Sequence, residues 1–183
     1  MSHLLTLGHG TATVVELAAL IRNAGIELIV DVRTVPKSRR HPQFWREQME
    51  VWVPTLSGSA YTWQPRLGGF RKANPASNNV ALRHPSFRAY ADYMETDDFA
   101  SALDGLLAQA AEKRVAILCS ETVWWRCHRR LISDAAVLLH SVDVQHLMHD
   151  GKLRPHLSTA GSRITVDGKL RYDVLFTEEA STA

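Results

Sequence analysis

The strongest constraint on the fold is a strand–helix–strand pattern at the start of the chain. A short apolar run, Leu4–Leu7, ends in Gly8–Gly10, and the residues after it place apolar side chains at helical spacing over 14–21. Gly25 is a suitable end for this helix. Ile26–Val32 follows as a nearly continuous apolar run, which is typical of a strand buried on both faces. The short connections predict that the two strands are parallel neighbours.

The same alternation of strands and helices continues along the chain. Apolar runs predict strands at 60–63, 115–119 and 142–147, and helical spacing predicts helices at 44–52, 86–94, 98–112 and 126–140. Alternating residues around Asp167-Gly168 predict a C-terminal β-hairpin over 163–172. Together these elements indicate an α/β fold: a three-layer sandwich with a mostly parallel central sheet of four or five strands plus the C-terminal β-hairpin. We expect residues 1–150 to form a single α/β domain and residues 151–183 to form a C-terminal extension that carries the hairpin.

The composition is that of an ordinary globular domain. The chain has 183 residues, of which 45% are hydrophobic and 22% are charged, and this is enough apolar material for one core. It has no apolar run of the ~20 residues needed to cross a bilayer, and its N-terminus does not have the pattern of a signal peptide. Its two cysteines cannot make a disulfide framework. We therefore expect a cytoplasmic protein that has no membrane partner.

Charge is distributed unevenly along the chain. The segment 32–91 contains ten basic and two acidic residues, a net charge of +8, whereas the rest contains eleven basic and seventeen acidic residues, a net charge of −6. Within it, a long polar loop at 64–85 holds Gly68-Gly69 between Arg66 and Arg71, and a loop of this length in a compact domain usually has a function. The segregation predicts an anionic, phosphate-bearing partner. A solvated basic face is the alternative interpretation.

Ligands of open α/β sheets bind at the carboxyl ends of the strands, where the connecting loops emerge. Several residues with useful chemistry follow the predicted strands at this edge: His9, Arg33, Arg39, Arg40, Cys119, Glu121, His128 and Arg129. The sequence therefore predicts that these distant segments meet in one pocket.

The pocket is expected to bind a phosphorylated substrate, either a nucleotide or a nucleic acid. Arginine binds phosphate through two parallel hydrogen bonds, and we assign this role to Arg33, Arg39, Arg40, Arg71 and Arg129. His9 is a further donor for a bound anion, and Tyr90 and Tyr93 are candidates for stacking on a base. Because the two tyrosines are three residues apart on a predicted helix, packing in the core is the alternative for that pair.

Glu121 is the leading candidate for a catalytic residue. A carboxylate that follows a buried strand and lies close to arginines can act as a general acid or base, and Cys119 or His128 would assist it. A salt bridge between Glu121 and Arg33 or Arg129 is the alternative. Hydrolysis, N-glycosidic cleavage and group transfer all fit a carboxylate among arginines, so the reaction type stays open.

Cys119 and Cys127, the second followed directly by His128, suggest another kind of chemistry. A histidine and arginines at a helix N-terminus can lower the pKa of a cysteine and make it nucleophilic, so sulfur-transfer or redox chemistry is one alternative function. A Cys119 that only packs as a small hydrophobic residue is the other interpretation. The spacing fits no standard zinc motif and offers no evident fourth ligand, so no metal or cofactor is predicted. A non-catalytic nucleic-acid-binding module is a further alternative function.

Five motifs, in order along the chain, resemble the signatures of a bacterial protein family. They are Leu7-Gly8-His9, Val30-Asp31-Val32-Arg33 with Pro36-Lys37-Ser38-Arg39, Leu67-Gly68-Gly69-Phe70-Arg71, Phe87-Arg88-Ala89-Tyr90-Ala91-Asp92-Tyr93-Met94, and Cys119-Ser120-Glu121 followed by Cys127-His128-Arg129-Arg130. The family is the domain of unknown function numbered 488, and the resemblance covers roughly residues 4–150. It implies no particular activity, because the family is named for lacking one. A weaker likeness to rhodanese domains concerns the fold alone.

Overall fold

A computed structural model of the protein describes residues 3–175. Its strands are β1 (His3–Gly8), β2 (Leu28–Asp31), β3 (Ala60–Trp63), β4 (Val115–Cys119), β5 (Asp143–Leu147), β6 (Leu153–Pro155), β7 (Ser162–Ile164) and β8 (Leu170–Tyr172). Its α-helices are α1 (Val14–Asn23), α2 (Arg46–Trp52), α3 (Pro85–Met94), α4 (Asp97–Glu112) and α5 (Arg129–His140). No helix within 3–175 is long and apolar enough to cross a membrane.

Local sequence chemistry accounts for several of these boundaries. Thr13 caps α1 through a reciprocal pair of hydrogen bonds with Glu16, in which each side chain binds a backbone N–H of the other residue. Thr96 caps α4 in the same position, and Asp97 and Asp98 then place negative charge in its first turn. Strands β3 and β4 have the bounds that the apolar runs predict.

Six strands form the central sheet, in the order β3-β2-β4-β1-β5-β6. All neighbouring pairs are parallel except β5 and β6, which are antiparallel. The predicted α/β class and mostly parallel sheet are confirmed, but the sheet has one strand more than expected. Strand β6 has only three residues, all exposed, so its sequence carries no apolar pattern that would reveal it.

Strands β1 and β2 are parallel, but they are not neighbours as predicted. Strand β4 lies between them and pairs with both, Leu4 and Leu28 sharing Val115 as their partner. All five residues of β4 are buried, and a wholly apolar strand is most stable at the centre of a sheet covered on both faces.

Helices cover both faces of the sheet and make the three layers that the sequence predicts. Side chains of β4 alternate between the two cores: Ala116 and Leu118 pack with α1 and α2, whereas Val115 and Ile117 pack with α3, α4 and α5. This alternation leaves the connections at the carboxyl ends of the strands free to form a site.

The predicted C-terminal hairpin is present as a separate two-stranded antiparallel sheet, β7 and β8. Its turn contains Gly168 in the left-handed conformation (φ 77°), as an Asp-Gly turn requires. Leu170 and Tyr172 of β8 are buried in the core beneath α3 and α5, and the Tyr172 hydroxyl donates to the Asp134 carboxylate over 2.9 Å. The hairpin therefore contributes to the core on one face of the sheet.

Candidate functional site

A cleft of about 820 Å³ opens at the carboxyl ends of β1, β2 and β4. Five of the residues assigned to the site from sequence line it together: His9, Arg33, Cys119, Glu121 and His128. These residues come from segments more than a hundred positions apart, and the parallel strands bring their connections to one edge. The expected meeting of the strand ends is therefore observed for this group.

The centre of the cleft holds a cluster of two thiols and an imidazole. His128 Nδ1 lies 3.9 Å from Cys119 Sγ and 3.6 Å from Cys127 Sγ. On the other side of the ring, His128 Nε2 is 2.9 Å from the carbonyl oxygen of Val32. A carbonyl oxygen only accepts hydrogen bonds, so Nε2 carries the proton and Nδ1 presents its lone pair to the two sulfurs.

The start of α5 decides which side chains join this cluster. The helix begins at Arg129, three residues later than predicted, because Trp124–Arg126 form a short 3₁₀ turn. Cys127 and His128 consequently lie in the connection at the helix N-terminus, on the cleft side. Both cysteines are free and almost fully buried, yet each forms part of the cleft wall.

The two cysteines have opposite acidities. A hydrogen bond from the Cys119 thiol holds the pKa of Cys127 well below its ordinary value, with the Arg129 guanidinium as a further cause. The same hydrogen bond, together with burial, raises the pKa of Cys119 well above its ordinary value. Arg129 Nε donates to Cys127 Sγ over 3.4 Å. Cys127 is therefore the more acidic of the two cysteines, and Cys119 is the less acidic.

The Arg129 side chain lies inside the protein, behind the wall of the cleft, and is not among the residues that line the cleft. Its side chain is 1% exposed, and its guanidinium donates to the hydroxyl of Thr6 over 3.3 Å and to the backbone carbonyl of Glu121. The phosphate-binding role expected for Arg129 does not fit this position, because the side chain is buried, is absent from the lining of the cleft and uses its Nε, Nη1 and Nη2 to bind protein atoms.

Glu121 lies on an exposed turn whose backbone is held firmly against β1. Besides the bond from Arg129 to its carbonyl, the turn packs so closely on Gly8 that a methyl group there would lie 1.9 Å from the Glu121 carbonyl oxygen. The Glu121 side chain itself is exposed. Its carboxylate makes no ion pair with any residue from 3 to 175, so the expected alternative of a salt bridge to Arg33 or Arg129 is wrong.

Arg33 is buried and committed to an acidic partner. Its Nε and Nη2 form a fork on the Asp31 carboxylate at 2.9 and 2.5 Å, and Nη2 also donates to the carbonyl oxygen of Phe44 at 2.9 Å. The Tyr61 hydroxyl donates to the same carboxylate over 2.6 Å. Only an edge of the Arg33 side chain faces the cleft. The Asp31 carboxylate balances the charge of Arg33 before any ligand binds.

His9 is neutral and has both ring nitrogens occupied. Burial lowers the pKa of His9 to about 4. Its Nδ1 lies 2.9 Å from the carbonyl oxygen of Gly10 and therefore carries the proton, while Nε2 faces Arg33 Nη1 at 3.4 Å. The expectation that His9 donates to a bound anion is not supported by this arrangement.

The remaining arginines assigned to substrate lie outside the cleft. Arg39 and Arg40 are exposed and are absent from its lining. The Arg71 guanidinium donates to the carbonyl oxygen of Gly68 over 3.0 Å and lies 3.4 Å above the ring of Tyr93. Arg71 therefore holds the glycine loop in place. The sequence predicts that two or three of the five arginines converge on one anion, and Arg33 is the one of the five that lines the cleft.

The two tyrosines of α3 do not offer a stacking surface to the cleft. Tyr90 is fully buried, and its hydroxyl donates to the carbonyl oxygen of Leu67 over 2.8 Å. The Tyr93 hydroxyl donates to the carbonyl oxygen of Arg66 over 2.7 Å, and Arg71 covers its ring. Core packing is the correct interpretation for Tyr90, and Tyr93 anchors the loop 64–85.

Other residues line the cleft that sequence reasoning did not assign to it: Lys37, His41, Phe70, Phe87 and Arg126. Lys37 and Arg126 carry positive charge, and Glu121 is the one acidic residue among the residues that line the cleft. Phe70 is 80% exposed, so its ring is accessible from solvent. Lys37 and Phe70 belong to two of the sequence motifs given above. In those motifs the sequence predicts substrate binding by the neighbouring arginines instead.

A buried polar chain runs from the back of the cleft to the hairpin side of the protein. Arg129 donates to Thr6, whose Oγ1 lies 2.7 Å from His146 Nδ1, and His146 Nε2 is 3.0 Å from His156 Nδ1. His156 Nε2 is 2.9 Å from the Asp134 carboxylate. Because the carboxylate can only accept, each group in the chain donates toward Asp134. The chain thus connects two buried groups of opposite charge, Arg129 and Asp134.

Comparison with known proteins gives one match. The model of the family described as domain of unknown function DUF488 matches residues 13–136. No curated protein and no solved structure matches the chain. These comparisons give no support to the weaker likeness to rhodanese domains.

Proposed function

The chain belongs to the DUF488 family, and from the geometry of its cleft we propose that it is an enzyme acting on an anionic, phosphate-bearing substrate, with Glu121 as the general acid or base. One observation carries the proposal. An exposed carboxylate without an ion-pair partner among the described residues lies on a rigid turn in a cleft whose other charged groups are basic.

The lining of the cleft favours a nucleotide or a nucleic acid as the substrate. Lys37 and Arg126 supply positive charge, and Phe70 and Phe87 supply aromatic rings beside it. Cations next to aromatic rings suit a phosphate attached to a base, because the cations attract the backbone and an exposed ring such as that of Phe70 can stack on the base. In this proposal Lys37 and Arg126 take the role that the sequence assigned to other arginines.

Glu121 is suited to proton transfer for two reasons. Its backbone is held by Arg129 and by the close contact with Gly8, so the side chain extends from a fixed point of the cleft wall. Its oxygens are not engaged by any described cation, so they are available to take a proton from a nucleophile or to give one to a leaving group.

The test combines an activity screen with two matched variants. The protein is incubated with a panel of nucleotides and single-stranded DNA and RNA oligonucleotides, and products are identified by mass spectrometry. Glu121→Gln keeps the size and removes the charge, and we expect it to lower turnover by roughly 10²–10⁴-fold while binding is retained. Glu47→Gln changes an exposed carboxylate on α2 and serves as the control.

Two results would overturn this proposal. Turnover that is unchanged in Glu121→Gln would exclude the carboxylate from the chemistry. Salt-dependent binding of oligonucleotides without any turnover would identify the protein as a non-catalytic nucleic-acid-binding module.

Cysteine-based chemistry is the second candidate function, and the position of Cys119 and Cys127 beside His128 in the wall of the cleft favours it. A nucleophilic Cys127 would react with iodoacetamide at neutral pH, and it would do so faster than the thiol of an unfolded cysteine. Cys127→Ser would then abolish turnover, whereas Glu121→Gln would not. Two free, acidity-tuned cysteines also favour our proposal that the protein works in a reducing, cytoplasmic environment.

A further inference from the structure

The Cys119, Cys127 and His128 side chains form a donor set that the eight-residue spacing of the cysteines did not indicate. Their ligand atoms all lie within 4.8 Å of one another. Two thiolates and one imidazole nitrogen are the donors that zinc prefers in proteins. The orientation of the imidazole is already correct, because Nδ1 presents its lone pair to both sulfurs while Nε2 donates to Val32.

The two sulfur–nitrogen distances in the cluster match those of a zinc site. Zinc binds sulfur at ~2.3 Å and nitrogen at ~2.05 Å, so a tetrahedral site separates its sulfur and nitrogen ligands by about 3.6 Å. The observed separations from His128 Nδ1 are 3.6 Å to Cys127 and 3.9 Å to Cys119. Both sulfur–nitrogen separations therefore lie within a few tenths of an ångström of those in a zinc site.

Hydrogen bonds to residues outside the cluster also hold its side chains in position, as they do around metal ions in proteins. A ligating histidine commonly donates its second N–H to a backbone carbonyl, and His128 does so to Val32 over 2.9 Å. Arg129 Nε donates to Cys127 Sγ over 3.4 Å, which stabilises negative charge on the sulfur. The ring of His128 also needs Gly69 beside it, since a methyl group there would lie 2.7 Å from Nδ1.

We propose that Cys119, Cys127 and His128 bind one zinc ion at the floor of the cleft, with the fourth coordination position open to the cleft. All three residues line the cleft, so the open position faces the space where the substrate would bind. Three protein ligands and one exchangeable position are the arrangement of catalytic zinc sites, whereas structural sites use four protein ligands.

The site itself is independent of the proposed function, but its use in catalysis rests on it. A zinc ion held by Cys119, Cys127 and His128 would lower the pKa of a bound water. Glu121, the acidic residue of the cleft, would take the proton from this water as its oxygen bonds to the substrate, and would give the proton to the leaving group as the bond to that group breaks. The reaction would then be a hydrolysis.

The test measures zinc binding directly. The full-length protein is stripped with a chelator and titrated with zinc, and the metal content is measured by mass spectrometry. We expect one zinc per chain, and cobalt in its place should give an intense thiolate-to-metal absorption band. Cys119→Ser, Cys127→Ser and His128→Asn should each weaken zinc binding by at least ~100-fold, since loss of an outer partner alone costs 10–100-fold. His41→Asn removes another imidazole of the cleft and should bind zinc normally.

A glycine pair provides a second test that leaves all three ligands in place. Gly69→Ala should weaken zinc binding because its methyl group collides with the His128 ring. Gly105→Ala adds a methyl group where no atom lies within 4 Å and should leave zinc binding unchanged. Circular dichroism confirms that each variant is folded, and zinc should raise the melting temperature of the wild type but not that of the ligand variants.

The possible results distinguish failure of the zinc site from failure of the proposed function. A wild type that binds no zinc, or zinc binding that survives in His128→Asn, overturns the metal site. A Cys119–Cys127 disulfide that forms readily in a protein unable to bind zinc also overturns it, in favour of thiol chemistry. Glu121→Gln should keep its zinc. If it also keeps full turnover, the proposed function fails while the metal site stands.

Discussion

Replacing Thr6 by valine should destabilise the protein substantially, although the two side chains have the same shape. Thr6 is fully buried in β1. Its hydroxyl accepts a hydrogen bond from Arg129 at 3.3 Å and donates one to His146 at 2.7 Å. The hydroxyl is thus the connection between the buried guanidinium and the two histidines that lead to Asp134.

The magnitude follows from the groups that lose a partner. Thr6→Val leaves one N–H of Arg129 and the Nδ1 of His146 without a hydrogen bond, and a buried unsatisfied group costs about 1–3 kcal/mol. No cavity forms, because a methyl group replaces the hydroxyl. We expect a loss of roughly 3 kcal/mol in the free energy of unfolding, equal to a drop of about 6–12 °C in the melting temperature for a chain of this size.

Urea unfolding followed by circular dichroism measures this change, with Thr6→Ser as the control. Serine keeps the hydroxyl and loses one buried methyl group, so it should cost only about 1 kcal/mol. The dependence on urea concentration should be unchanged in both variants. A Thr6→Val protein as stable as Thr6→Ser would show that the buried chain contributes nothing to stability, and the reasoning would be refuted.

Two further predictions concern buried charge. Burial lowers the pKa of His9 to about 4 and that of His146 to about 3, below the ordinary value near 6.5, so the unfolded chain takes up protons first as the pH falls. The free energy of unfolding should therefore have its full value above about pH 7 and decrease by roughly 1–2 kcal/mol for each histidine by pH 5. Urea midpoints that do not change from pH 7 to pH 5 would contradict this prediction. Asp31→Asn removes the partner of the buried Arg33 and should cost roughly 3–5 kcal/mol in chemical unfolding, and a cost under 1 kcal/mol would show that Arg33 finds its balance elsewhere.

The sequence predicts best where burial and periodicity decide the structure. Strand β4 has its predicted bounds because a wholly buried apolar run has one favourable arrangement in a covered sheet. Strand β3 also has its predicted bounds, although it lies at the edge of the sheet and its residues are exposed or half-buried. The rule that strand ends meet at one edge then brings His9, Cys119 and Glu121 to one cleft. None of this requires knowledge of how individual side chains pack.

Side-chain direction at the site could not be predicted in the same way. Arg71 and Arg129 have the chemistry to bind phosphate, but the free carbonyl oxygens of Gly68 and Glu121 engage them first. Buried carbonyls that lack a backbone partner need a donor, and a long arginine supplies one. Which arginine does so depends on tertiary contacts that the sequence pattern does not contain.

The Cys–His cluster likewise could not be predicted from the sequence. Cys119 ends a strand and Cys127 precedes a helix that begins at Arg129, so their separation along the chain follows no compact metal-binding motif. The folded connection between β4 and α5 brings them together across the turn, and His128 joins them because Val32 holds its ring.

Titration of isotopically labelled protein with pyrophosphate, followed by amide chemical shifts, tests most directly whether this cleft is where the protein binds its substrate. Pyrophosphate carries the charge of the proposed substrate and nothing else. We predict saturable shifts at residues of the cleft wall, namely Ser38, Glu121 and Arg126, that fit one dissociation constant. Shifts confined to the exposed pair Arg39 and Arg40, or no saturable shift at the cleft, would contradict the account.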